Sequence, residues 1–310
     1  MLKILFFYTA AILMLAGCSS REVSPEPPPV QIEQPVITDQ QPKNPPVQDQ
    51  PQALDLDDQP PKEQAPTYIE ILTQEVIAKF AHPDMGEYEK AKAAFDFMIE
   101  NTGLTEPVGL ELWRVRGEND PQPSFEENRS LSVFLYGIGM CEDYAAALTV
   151  LLRGMGMEAR YVPGLTYAAD GSGLVDHAWT AAKIDGVWYH LDCQLEDNIT
   201  RRDTIRYKYF MKSDAFMSAS HRWGQNLIDT GLLTSEQNEE IAREFLLEPC
   251  PQDAPLPPPG IISSAPMPDK DAILAEIDKE IAAYEEAHGK LPQLELKIIP
   301  PVFGGKGYPG

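Results

Sequence analysis

The chain has 310 residues, 43% of them hydrophobic, and a formal net charge of −23. So large an excess of carboxylates excludes nucleic acid as a partner, because phosphate binding needs clustered Lys and Arg. It equally excludes charge-driven adhesion to anionic lipid. No internal repeat is present.

The first predicted element is an export signal over residues 1–18. Lys3 supplies a short positive region, and residues 4–17 form an apolar run too short to span a bilayer comfortably. Its last four residues, Leu15-Ala16-Gly17-Cys18, resemble the lipobox of bacterial lipoproteins. That resemblance implies lipidation of Cys18, cleavage just before it, and an extracytoplasmic protein lipid-anchored to a bacterial membrane. Residues 19–66 follow as a disordered Pro/Gln-rich tether: Val23 to Pro66 carries twelve prolines and no aromatic residue, so it has no means to offset its ordering entropy by burial. Fully extended at ~3.1 Å per residue, the tether reaches on the order of 100 Å.

A single compact domain is predicted at 67–235. Residues 87–103 place Ala91, Ala94, Phe95 and Met98 on one helical face and end in Gly103, a residue suited to a C-terminal cap. Residues 105–125, rich in Gly, Pro and charge, read as mostly loop, with Trp113 as packing. After Cys141, the spacing of Tyr144, Leu148, Leu151 and Leu152 predicts a helix stopped near Gly154 and Gly156. Cys141 then lies in the first turn, where unpaired N–H groups and the positive end of the macrodipole favour a thiolate. A helix-start cysteine is also commonly a small buried hydrophobe. Glu142 and Asp143 answer the dipole as first-turn acids, and Glu142 stands near enough to line a cleft.

Two strand-like runs flank Asp185-Gly186, a dipeptide suited to a two-residue hairpin turn. That turn pairs Ile184 with Val187, Trp179 with Asp192 and His177 with Gln194. His177 and Asp192 then share a sheet face as diagonal neighbours, close enough for a hydrogen bond. An imidazole oriented by a carboxylate is the base half of a nucleophile, base and acid triad.

Several blocks occur in order: Gly139 to Ala145 (GMCEDYA), LLRGMG at 151–156, ARYV at 159–162, DHAW at 176–179 and WYHLD at 188–192. Together they resemble the bacterial transglutaminase-like superfamily, a branch of the papain-like cysteine enzymes, over about residues 85–225. The stretch KYFMKSDAFMSASHRW at 208–223 is similar to the continuation common in that family. The resemblance implies an α+β fold, with the nucleophile at a helix N-terminus packed on an antiparallel β-sheet. It implies Cys141 as nucleophile, His177 as general base and acid, and Asp192 as the residue orienting His177. Cys193 stands where the family often has proline. For the oxyanion, the backbone N–H of Cys141 is one donor, with Tyr136 or Trp113 as a side-chain candidate. Trp179, His190 and His221 are candidate cleft-lining residues, with His190 read first as packing or hydrogen-bonding beside the triad and His221 first as structural. His190, Asp192 and Cys193 lack the paired spacing of zinc sites, so no metal or other cofactor is expected.

Residues 236–267 read as a proline-rich connection. Within 268–310, residues 268–290 place Ile273, Ile277, Ile281 and Tyr284 on a narrow helical stripe that needs a surface, either the domain itself or a partner. In an exported chain, Cys193 and Cys250 are either disulfide-bonded or two free thiols. The expected activity is acyl transfer from a peptide or carboxamide in the envelope or outside the cell, to water (a hydrolase) or to an amine (a cross-linker). A noncatalytic peptide-binding module, or a scaffold acting through the C-terminal helix, is the competing class.

Overall fold

A computed structural model describes residues 65–168, 171–199, 204–262 and 269–292, which belong to one compact unit beginning at Lys62. The signal, Cys18, nearly all of the tether and the tail after 292 lie outside the described residues. Among the described residues, no helix is long and apolar enough to cross a membrane.

Helices dominate the first half. Helix α1 (Tyr68–Ile77) opens on a capping box in which Thr67 and Glu70 satisfy each other's backbone N–H. Helix α2 (Glu87–Asn101) buries Ala91, Ala94, Phe95 and Met98, the face read from the sequence, together with Ile99. It ends earlier than expected. Thr102 is already extended, and Gly103 enters a short strand, β1 (Gly103–Leu104), rather than capping the helix. The presumed loop that follows contains helix α3 (Leu112–Arg116), a single turn too short for periodicity to reveal, which buries Leu112 and Trp113. Helix α4 (Phe125–Tyr136) starts on a second capping box, Ser124 with Glu127. Strand β2 (Ile138–Gly139) pairs in parallel with β1 and delivers the chain to helix α5 (Cys141–Gly154). This central helix is buried on nearly every side, so Tyr144, Leu148, Leu151 and Leu152 join a core shared with α2 and α4.

Strands β3 (Ala159–Tyr167), β4 (Leu174–Ile184) and β5 (Val187–Leu191) form the antiparallel sheet. The β4–β5 turn is Asp185-Gly186, both residues at positive φ (51° and 81°), which matches the twist of a tight hairpin. The ladder keeps the predicted register from Ile184↔Val187 to Thr180↔Leu191 and then stops. Asp192 and Gln194 therefore have no strand partner in Trp179 and His177. Instead, Asp192 leads into helix α6 (Cys193–Ile199), its carboxylate accepting the Leu195 N–H at 2.9 Å.

Beyond α6 come strand β6 (Thr204–Ile205), helix α7 (Asp214–Met217) and strand β7 (His221–Arg222). Strand β7 joins the free edge of β3 and completes the order β5-β4-β3-β7. Helix α8 (Gly224–Ile228) follows. The expected connection after 235 packs on the domain instead. Helix α9 (Ser235–Glu244) sets Ile241 against Leu165 and Leu227, Cys250 and Ala254 are buried, and strand β8 (Gly260–Ile261) pairs with β6. Helix α10 (Lys270–His288) lays Ile273 and Ile277 on Val108, Leu112 and Ile138. Its Glu280 takes a bidentate bond from Arg116 of α3, at 2.7 and 2.8 Å.

Candidate functional site

Cys141 is the first residue of α5 because Met140 before it is extended, and the Asp143 carboxylate accepts the Met140 N–H at 2.8 Å, fixing the helix entry. First-turn N–H groups lack intrahelical acceptors, so the sulfur sits where an anion is favoured. Arg129 of α4 braces this turn from beneath, 2.8 Å from Asp143 and 2.7 Å from Glu142. Burial raises the Asp143 carboxyl to about 7 against the pull of Arg129 and the Met140 N–H. Cys141 is itself only 6% exposed.

Across from this turn, β4 carries His177. The β4 face bearing Thr180 packs on α5, its hydroxyl donating to the Ala145 carbonyl at 2.9 Å. The opposite face carries His177 and Trp179, their rings stacked at 6.0 Å. His177 Nε2–H donates to Asp192 Oδ2 at 2.6 Å. Its Nδ1 is buried without a hydrogen-bond partner. The Cys141 thiol lies close enough to raise the proton affinity of the imidazole, a pair poised but not yet closed, as is common before substrate binds. Burial opposes charge on both His177 and Asp192, and their mutual attraction overrides it. His177 is raised well above the usual histidine range, and Asp192 is held below the usual carboxylate range with His221 adding to the effect.

A second polar layer lies under the first. Trp179 Nε1–H donates to His190 Nδ1 at 2.9 Å, so His190 carries its proton on Nε2 and donates to Asp214 Oδ1 at 2.9 Å. Asp214 Oδ2 accepts the backbone N–H of Cys250 at 3.1 Å. Two clusters therefore gather metal-ligand types, His177-Asp192-His221 and His190-Asp214-Cys250. Neither suits an ion. Tetrahedral ligands at ~2.0–2.1 Å from zinc stand about 3.3 Å apart, whereas 2.6 and 2.9 Å are hydrogen-bond separations, and the Trp179 bond leaves His190 no free lone pair.

The remaining candidates fall in different places. Glu142 is partly exposed beside Cys141, engaged by Arg129. Trp179, His190 and His221 are fully buried, so they support the constellation rather than line a cleft. Trp113 packs with Ile69 and Leu131. Tyr136 packs against Gly109 and the α10 contact, its hydroxyl raised to about 12 by burial, with Arg116 and Glu280 as its charged neighbours. Both aromatics serve the α1, α3 and α10 side of the fold, which corrects their reading as oxyanion donors. Cys193 and Cys250 are free thiols in separate hydrophobic clusters, not a disulfide. Arg129 and Asp214 escaped sequence reading. The Lys212-Ser213-Asp214 run, with Ser213 capping α7, was the one local signal for the latter. A groove of about 740 Å³ lined by Ile69, Thr73, Val150 and Gly154 lies at the other end of α5, roughly 20 Å along its axis from Cys141.

A cysteine opening a buried helix, beside a strand histidine held by a carboxylate, defines the papain-like α+β class. Residues 74–193 match the family model of the transglutaminase-like superfamily, and that part of the chain is a transglutaminase-like superfamily domain. No curated protein matches the chain significantly. Among solved structures, a candidate cysteine protease from Cytophaga hutchinsonii is similar over 41% of this chain and 37% of its own, at 20% identity and a TM-score of 0.29. An arylamine N-acetyltransferase from Bacillus cereus with a Cys-His-Glu catalytic triad is similar over 42% and 50%, at 13% identity and 0.29. A TGase is similar over 40% and 31%, at 19% identity and 0.27. The likeness thus spans half or less of each of those chains.

Proposed function

We propose that this chain is an extracytoplasmic, lipid-anchored thiol enzyme that cleaves or transfers peptide or carboxamide acyl groups, with hydrolysis as the favoured outcome. The observation that carries the reading is the His177–Asp192 bond of 2.6 Å beside a cysteine at a helix N-terminus. In this mechanism the Cys141 thiolate attacks the carbonyl carbon, and the backbone N–H of Cys141 steadies the oxyanion. His177 Nδ1 then passes its proton to the departing amine, leaving a thioester on the sulfur. Water, giving its proton to Nδ1, releases the acid and regenerates the thiolate–imidazolium pair, whereas a primary amine in the same role gives an amide cross-link. Asp192 stays ionised throughout and keeps the imidazole turned toward the sulfur. Hydrolysis is favoured because it needs no second substrate site. The substrate is then a protein or peptide of the envelope or beyond it, within reach of a domain displayed from Cys18.

Incubation with a peptide-amide library, with and without a primary amine, tests the reading by product mass. Free acid in both samples is the expected outcome. Amine adducts in preference to acid would move the assignment to a transglutaminase, and no Cys141-dependent product in the folded protein would sink it.

A further inference from the structure

Asp192 Oδ2 accepts two imidazole protons, and the Cys141–His177–Asp192 reading uses only one of them. The other comes from His221 Nε2 at 3.1 Å. His221 is fully buried and lies on β7, outside the 74–193 segment matched to the family. We infer that His221 is a positioning residue of the reaction centre: its Nε2–H holds Asp192 in the rotamer that bonds His177, and it limits how tightly that carboxylate retains the His177 proton.

Three observations converge on this. First, the tautomer is set: Asp192 is an acceptor, so Nε2 donates, and Nδ1 is left to accept from the Ser220 hydroxyl at 2.9 Å. Second, the ring is held edge-on to Trp179 at 4.9 Å and tilted to His177 at 5.6 Å, so it stands beside the acting imidazole on the same carboxylate. Third, its neighbours keep it neutral. Burial lowers its proton affinity, Asp192 pulls the other way, and His177 and His190 add repulsion. Tyr209 presents its ring edge-on at 5.9 Å, and the adjacent Arg222 guanidinium donates to the His221 carbonyl. A neutral donor shares the carboxylate without placing a second full positive charge next to His177. With Leu195 N–H on Oδ1, three donors satisfy Asp192, which prevents it from swinging away or drawing the proton off His177.

The inference rests on the triad reading, so its test reads the ion pair rather than turnover. Chloroacetate, an anion drawn to an imidazolium, alkylates a thiolate–imidazolium pair with a bell-shaped pH profile whose basic limb marks loss of the histidine proton. In folded His221→Phe, Asp192 loses a donor and binds the His177 proton more strongly. The basic limb is expected to move up by about one unit and the maximal rate to fall on the order of tenfold. His221→Gln, which restores an N–H toward Asp192, is expected to recover most of both. If the Phe variant does not fold, Ser220→Ala, which frees the ring to change tautomer, is expected to shift the same limb by less. A folded Phe variant, or failing that a Ser220→Ala variant, whose profile superimposes on the parent's overturns the inference while leaving the triad intact. Failure of Cys141 to react in the parent protein would instead strike the triad reading itself.

Discussion

Burial sorts the cysteines of the described domain by chemistry. Desolvation pushes the thiols of Cys193 and Cys250 upward, with Asp192 and Asp214 respectively adding repulsion, while the Cys141 thiol lies beside the His177 imidazole whose proton affinity Asp192 raises. Iodoacetamide on the native protein at pH 7 should therefore label Cys141 and spare the other two until the chain unfolds, as peptide mapping would read. His177 gives a pH prediction. Its folded proton affinity is raised, to about 10, so the stabilisation is complete below the unfolded value of ~6.5 and lost as pH rises toward 10. In a Cys141→Ala background, which removes the thiol's share of that rise but keeps that of Asp192, denaturant stability should still fall as pH rises from ~6.5, over a narrower window, and adding His177→Gln should flatten the fall. His177 and Asp192 were legible because alternation along β4 and one tight turn bring the end of β5 near His177, although the ladder stops at Leu191 and Asp192 makes its bond from the residue before α6 rather than from a strand pair. Trp113 is the packing residue that its loop reading gave, whereas Tyr136 was misread because its surroundings arrive from α10, a distant segment whose docking has no local signature. His221 was legible as a structural residue but not as a partner of Asp192, since nothing near it in sequence announces that bond.

Among the elements, the β3–β4–β7 junction governs the site most directly. A Cβ on Gly164 would collide with the Arg222 carbonyl and come within 2.8 Å of the Trp179 ring. Gly164→Ala should push β7 and Trp179 apart, costing about 2–3 kcal/mol and lowering activity as well, because His221 and the ring beneath His177 move with them. On α10 the apolar contact should outweigh the ion pair. Ile277→Ala should cost about 2–3 kcal/mol, whereas Glu280→Ala, which breaks a partly exposed pair with Arg116, should cost no more than about 1 kcal/mol; denaturant midpoints compare the two. Long elements with a clear period, α2, α5 and the β4–β5 hairpin, could be read from the sequence with their buried faces. Among the pieces that were not read, helices α1 and α4 announce themselves only through their capping boxes, β1, β2 and α3 have too few residues to show a period, and the 236–262 segment is held by single buried residues such as Ile241, Cys250 and Ala254 rather than by a stripe.

For the whole molecule, the proposed display depends on Cys18 and the proline-rich tether, features read from composition and a terminal motif. Cys18→Ser should move the protein out of the membrane fraction or leave it unprocessed. A variant that stays anchored and normally processed would end the lipoprotein reading without touching the chemistry of the domain. The central claim, that acyl groups pass through a thioester on Cys141, is most directly tested by acid-quenching the enzyme during turnover of a peptide amide and measuring its intact mass and modified peptide. The account predicts an acyl adduct confined to Cys141, absent from Cys141→Ala. Product formed at an undiminished rate by Cys141→Ala, or an adduct mapped to any other residue, would contradict it.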